Sequence, residues 1–185
     1  MSAYVPLWCK TNFSFLEGAS HPDELVDEAS RFGLPALALT DRDGVYGIVR
    51  AYVKAREVGL KIIVGSEVTI EDGSTMVLLA QDRRGYANLC RLISKGRLRS
   101  EKGESSVKWD EVCAHAAGLI ALWGGNTFIH KRDINGLGEN LDSRFRGNDG
   151  KKDAGDFVAS EADFEEVVGS LRDAFGDRLY VMGHC

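Results

Sequence analysis

Between residues 4 and 123 the chain switches repeatedly between two hydrophobic periods, and few folds satisfy both. Short unbroken apolar runs read as strands covered on both faces: Ala36-Leu37-Ala38-Leu39-Thr40, Lys61-Ile62-Ile63-Val64, and Leu119 to Trp123. Tyr4 to Cys9 is a further short apolar stretch. Between them, apolar residues recur at helical spacing. Leu25, Val26, Ala29 and Phe32 share a face that Gly33 ends, with Ser20, Asp23 and Pro22 forming a capping start. Ile48, Val49, Tyr52, Val53 and Ala55 make the apolar side of a second helix, closed by Gly59. Tyr86, Leu89, Cys90 and Ile93 mark a third, followed by a loop over Arg97 to Ser106. Trp109, Val112, Cys113 and Ala116 mark a fourth, stopped by Gly118. Glu67 to Ile70 and Thr75 to Ala80 flank Asp72-Gly73, a strong hairpin turn. This order predicts an α/β fold with a mostly parallel sheet, since parallel neighbours need crossover helices.

The pattern lapses over 130–156. Six Lys or Arg and six Asp or Glu alternate there with five glycines, and Ile134, Leu137, Leu141 and Phe145 form no sustained face. Such a stretch buries too little to offset ordering entropy and reads as an exposed or disordered insertion. Leu141 to Gly150 resembles the translated product of a dispersed bacterial repeat element; a variable surface loop is the other reading. Phe164, Val167, Val168, Leu171 and Phe175 then restore a helical face, and Leu179 to Met182 reads as a strand. With no helix after that strand, the fold reads as incomplete at the C-terminus. The 185 residues are expected to form a single domain.

A formal charge of −5 argues against bulk-charge nucleic-acid binding. Cys9, Cys90, Cys113 and Cys185 include no Cys-x-x-Cys pair, so a zinc ribbon is unsupported and the thiols read as reduced, in a cytoplasmic protein. No run approaches a membrane span, and neither a phosphate-binding glycine loop nor an esterase elbow is present. Trp8, Trp109 and Trp123 lie in or beside apolar runs and are expected in the core.

In parallel α/β folds, sites form at strand carboxyl ends. Those ends carry Lys10 and Glu17; Asp41, Arg42 and Asp43; Glu67; and His184. Carboxylates gathered on one rim need neutralising, by divalent ions or by cations of the chain. Two solutions stand. Lys10 and Arg42 can pair with Glu17, Asp41, Asp43 or Glu67. A reduced metal site can be built on Glu17, Asp41, Glu67 and His184, with Asp43 in reserve. The other histidines, His21, His115 and His130, are placed elsewhere and form no close pair. Arg91, Lys95, Arg97, Arg99 and Lys102 form a basic cluster that could meet phosphate backbone, or a solvated helix end.

Leu7 to Pro22 resembles the opening of the polymerase-and-histidinol-phosphatase (PHP) domain, in the version that leads error-prone polymerases of the bacterial DNA polymerase III alpha class. Leu37 to Gly47 resembles that family's second motif, and Ile63 to Val68 its third; Gln81-Asp82 and Gly85 to Leu92 also match. The resemblance implies a distorted (β/α)₇ barrel, similar to a TIM barrel, and a metal-dependent phosphoesterase site in active members. It also implies two partners: the remainder of a polymerase polypeptide, and DNA through that polymerase. It places Trp8 and Lys10 where the family has His-x-His, and Arg42 at another histidine position, while Glu17 and Glu67 keep acidic positions. An arginine cannot accept a metal. The expected outcome is a degenerate site with no cofactor, filled by Lys10 and Arg42 and serving a scaffold. The alternative is a phosphoesterase using Mn²⁺, Zn²⁺ or Mg²⁺ with fewer ligands. No residue resembles a polymerase catalytic centre.

Overall fold

A computed structural model describes residues 4–124 and 161–182, without the side chains of 161–164. The elements run α1 (Pro22–Arg31), β1 (Ala36–Leu39), α2 (Ile48–Val58), β2 (Lys61–Thr69), β3 (Thr75–Ala80), α3 (Arg83–Arg99), α4 (Trp109–Ala114), β4 (Leu119–Trp123), α5 (Glu161–Phe175), a 3₁₀ turn (Gly176–Arg178) and β5 (Leu179–Val181). The strands form one sheet in chain order. The expected insertion at 130–156 lies outside the described residues.

The sheet is less parallel than its alternation suggests. β1–β2 and β4–β5 pair in parallel, but β2–β3 and β3–β4 are antiparallel. The cause is the Asp72-Gly73 hairpin, which reverses the chain between β2 and β3, followed by a return into β4 against β3. The two runs around Gly65 are one strand. Lys61 to Val64 pairs with β1, and Gly65 to Thr69 with β3. A Cβ at Gly65 would stand 2.7 Å from the Leu78 carbonyl oxygen, so only glycine lets β2 pass there.

Side-chain alternation sorts the sheet into two faces. Leu37 and Leu39 pack with Val26, Ala29, Ile48, Ala51 and Ala55 beneath α1 and α2. Val68, Met76, Leu78, Leu119 and Ala121 pack with Leu89, Leu92, Val112, Leu171 and Phe175 beneath α3, α4 and α5. Ala38, Val77, Leu79 and Leu122 form a third, smaller cluster with Ile63, Ile120 and Met182 on the alternate positions. Ile63 and Glu67 are four residues apart on one strand, so Glu67 points to the face of this inner cluster. Among the described residues no helix is long and apolar enough to cross a membrane.

Several elements depart from their sequence pattern. Tyr4 to Cys9 is extended but forms no strand; it lies along β1 through Ala38 N–H to Pro6 O (3.0 Å) and Thr40 N–H to Cys9 O (2.8 Å). The α1 cap is His21, whose N–H donates to Glu24 at 2.7 Å, one residue beyond the Ser20–Asp23 box. In α2 the buried residues are Ile48, Ala51 and Ala55, while Val49, Tyr52 and Val53 face solvent. The small alanines allow α2 to lie close to α1, which turns the bulkier residues outward. Finally, α3 runs three residues into the expected loop, to Arg99. Gly96 is tolerated within it because it sits against Ser105 and Val107.

Candidate functional site

The site begins where Lys10 to Gly18 folds over the ends of β1 and β2. Asp41 organises that loop. Its carboxylate accepts from Thr11 N–H (2.7 Å), Thr11 Oγ1 (2.8 Å) and Ser14 Oγ (2.6 Å), all buried. Ser14 Oγ also accepts from Arg42 N–H at 3.0 Å, and Ser66 Oγ donates to the Asp41 carbonyl at 2.9 Å. The loop closes on Gly18, where a Cβ would stand 2.2 Å from the Thr11 carbonyl oxygen. Glu67 N–H donates to Asp41 O, and Asp43 N–H to Glu67 O, carrying the β1–β2 ladder past Leu39.

That extension brings four charges together. Glu67 is 2% exposed, an ionisable group in the floor of the site. Lys10 Nζ reaches it at 2.5 Å and also pairs with Glu17. Arg42 lies on the other side, with Nε 2.8 Å from Glu17 Oε1 and Nη2 3.5 Å from Glu67 Oε1. The Trp8 indole N–H donates to Glu67 Oε2 at 3.3 Å, and Lys10 Nζ stands 5.6 Å from the Trp8 ring centroid. Two carboxylates thus face two cations and one neutral donor. Charges withdrawn from water persist when paired and hydrogen-bonded in this way.

Asp41 and Asp43 lie beside the quartet but outside its ion pairs. Asp43 accepts from Thr69 N–H and Thr69 Oγ1, both at 2.8 Å. Burial raises its pKa, and the Thr69 bonds and the Arg97 and Arg42 charges pull the other way. Its φ of 49° puts Asp43 in the left-handed region, which Asp tolerates better than most residues. Burial likewise pushes the Cys9 thiol up, away from nucleophilic use.

The donor set decides whether an ion fits. A divalent ion here needs free carboxylate or imidazole lone pairs. Lys10 and Arg42 hold Glu17 and Glu67; Thr11, Ser14 and Thr69 hold Asp41 and Asp43. Trp8 offers an N–H and no lone pair. Among the described residues, no group of three His, Cys, Asp or Glu side chains is placed to hold a metal. The described residues do not fit a metal centre. His184, a residual ligand candidate, lies outside the described residues, as does His130.

Trp8 was expected in the core and is instead 47% exposed, its ring edge turned to Glu67. Trp109 and Trp123 do pack inward, 6.0 Å apart and edge to face. The basic cluster divides. Arg97 donates to the carbonyls of Asp43, Gly103 and Glu104, and Arg99 pairs twice with Glu111. Both are engaged within the domain, although Arg99 keeps part of its surface open. Arg91 and Lys95 remain exposed.

Comparison with known proteins matches this geometry to a family. The PHP domain profile matches residues 7–182. An error-prone DNA polymerase of Rhodopirellula baltica is 48% identical over 118 residues, which cover 64% of this chain and 10% of the relative. One of Pseudomonas aeruginosa is 49% identical over 123 residues, covering 66% and 12%. The chain therefore spans about a tenth of the length of these relatives. A candidate metal-dependent phosphoesterase from Bifidobacterium adolescentis, solved by crystallography, superposes with a TM-score of 0.56 at 17% identity, covering 91% of this chain and 75% of that one. That likeness is one of fold, the PHP-type α/β barrel. With the family profile spanning the loop of Lys10, the ends of β1 and β2 and the sheet out to β5, the chain belongs to the PHP domain family.

Proposed function

We propose that the chain is the leading PHP domain of an error-prone DNA polymerase of the DNA polymerase III alpha class, working in the cytoplasm as a scaffold rather than as a hydrolase. The observation that carries this reading is Lys10, lodged between Glu17 and Glu67. An ammonium there supplies the positive charge a divalent ion would supply, but it cannot lower the pKa of a bound water or polarise a phosphoryl oxygen. Relatives named error-prone DNA polymerase, about ten times longer than the matched segment, support the assignment to that class.

A scaffold needs a surface to brace against. Phe13, Tyr46, Val49 and Val53 are between 46% and 73% exposed, and the Phe13 and Tyr46 rings lie 6.3 Å apart. An apolar strip of this kind marks an interaction site. Its proposed occupant is the polymerase polypeptide beyond the PHP domain, which makes up most of the relatives' length. The catalytic contact with DNA is then made by that polymerase.

The test is hydrolysis of a generic phosphodiester by the purified chain with Mn²⁺, Zn²⁺ or Mg²⁺. The expected rate is that of buffer alone. Turnover that disappears in Glu67→Ala would instead establish a phosphoesterase with a reduced ligand set.

A further inference from the structure

Helix α3 carries Arg83, Arg84, Arg91, Lys95, Arg97 and Arg99 and no Asp or Glu, in a chain whose formal charge is −5. Its buried residues, Gly85, Leu89, Leu92, Ile93 and Gly96, define the inward face. About 120° round the helix from that face, Arg84, Arg91 and Lys95 are exposed and fall within about 40° of one another at 100° per residue. From Arg84 to Lys95 the stripe runs about 16 Å along the helix axis. Arg91 reaches the Asn88 amide at 3.3 Å. Among the described residues, neither Arg84, Arg91 nor Lys95 has an ion pair with a carboxylate. Glu111 is held by two bonds from Arg99, although Lys95 adds to the field on it.

A helix with one sign of charge on its open face repels itself and is relieved by a polyanion. We infer that the Arg84, Arg91 and Lys95 stripe is a contact surface for the phosphodiester backbone of duplex DNA, made by this domain directly and independent of the Lys10 cluster. Duplex DNA presents about one phosphate charge per 1.7 Å of axis, both strands counted, so a 16 Å length carries about ten, an ample supply for three cations. Guanidinium forks match phosphate oxygens in pairs. Between Arg84 and Lys95 the helix carries no Asp or Glu, and its one Asn or Gln is Asn88, whose amide donates to the Ala117 carbonyl. The contact is therefore to backbone and not to sequence. The net acidity of the chain confines attraction to this face and so orients the bound domain.

The experiment is fluorescence anisotropy of a labelled duplex of arbitrary sequence with the full chain, across a salt series. Arg84→Gln, Arg91→Gln and Lys95→Gln together should weaken binding at least tenfold at low salt. The log–log salt slope should fall by about one per cation removed. Arg56→Gln with Lys61→Gln, exposed cations elsewhere, should change affinity less than twofold. Circular dichroism of the triple variant should match the parent, since Gln is as helix-compatible as Arg. The inference is overturned if the parent chain does not bind at low salt or if the triple variant binds as the parent does. It is also overturned if polyglutamate of matched charge competes as well as DNA, because the surface then fits an acidic peptide.

Discussion

Glu67 is the residue on which the site turns, because a carboxylate 2% exposed is costly to bury without partners. Lys10 approaches from the loop, Arg42 from the end of β1 and Trp8 from the extended segment beside it. Lys10→Met removes the nearer cation and leaves the carboxylate short of one partner. It should destabilise the fold by about 3 kcal/mol in urea unfolding, the usual cost of breaking a buried pair. Lys10→Met with Glu67→Met should recover most of that loss, since an apolar pair of similar volume no longer needs compensation. Additive losses would show that the two do not act as a pair. Lys10, Glu17, Arg42 and Glu67 were all legible in the sequence, from strand-end position and from the family motifs. Two features were not. Trp8 reads as core by its apolar neighbours, yet it stands at one of the histidine positions of the motif, and that position is the signal that it faces the site. Asp41 reads as a ligand by type; only the tertiary fold shows Thr11 and Ser14 already bonded to it.

At the scale of elements, the clasp between α3 and α4 fixes the end of the long helix. Arg99 bonds both oxygens of Glu111, and the Lys108 N–H adds a third bond. These interactions, the Arg99 bond first, hold the Glu111 carboxyl at about 2, below its ordinary 4.5. A carboxyl whose folded pKa lies below its unfolded value stabilises the fold above the unfolded pKa, and the contribution fades as pH falls toward the folded one. The stability difference between the parent and Glu111→Gln should be constant above pH 4.5 and close as pH drops toward 2. Thermal unfolding across that range at low ionic strength checks it; a difference independent of pH would contradict the clasp. Added salt should shrink the effect, because Arg99 is 41% exposed. The sequence pattern stopped α3 short because its last three residues, Arg97, Leu98 and Arg99, are mostly charged. The helix runs on because Arg97 and Arg99 find partners in the following loop and in α4. Likewise α2 was legible as a helix but not in its orientation: apolar periodicity cannot tell a buried face from a face kept for another partner.

For the whole molecule, the order of strands and helices was legible, because the change of hydrophobic period marks each boundary. Strand direction was less so. The Asp72-Gly73 turn announced one antiparallel pair, but nothing local announces that β4 returns against β3 rather than beside β2. The continuity of β2 through Gly65 was hidden for the same reason, since glycine punctuates sequence more often than it permits close passage. The resulting barrel-like sheet is what places the end of β1 beside the middle of β2, and so Arg42 beside Glu67. On the reading proposed above, Lys10 and Arg42 supply to Glu17 and Glu67 the positive charge that divalent ions would otherwise supply. Elemental analysis of the purified chain, after equilibration with Mn²⁺ or Zn²⁺ and removal of free ions, tests it most directly. The expected result is no stoichiometric metal; two or more tightly held ions per chain would contradict it.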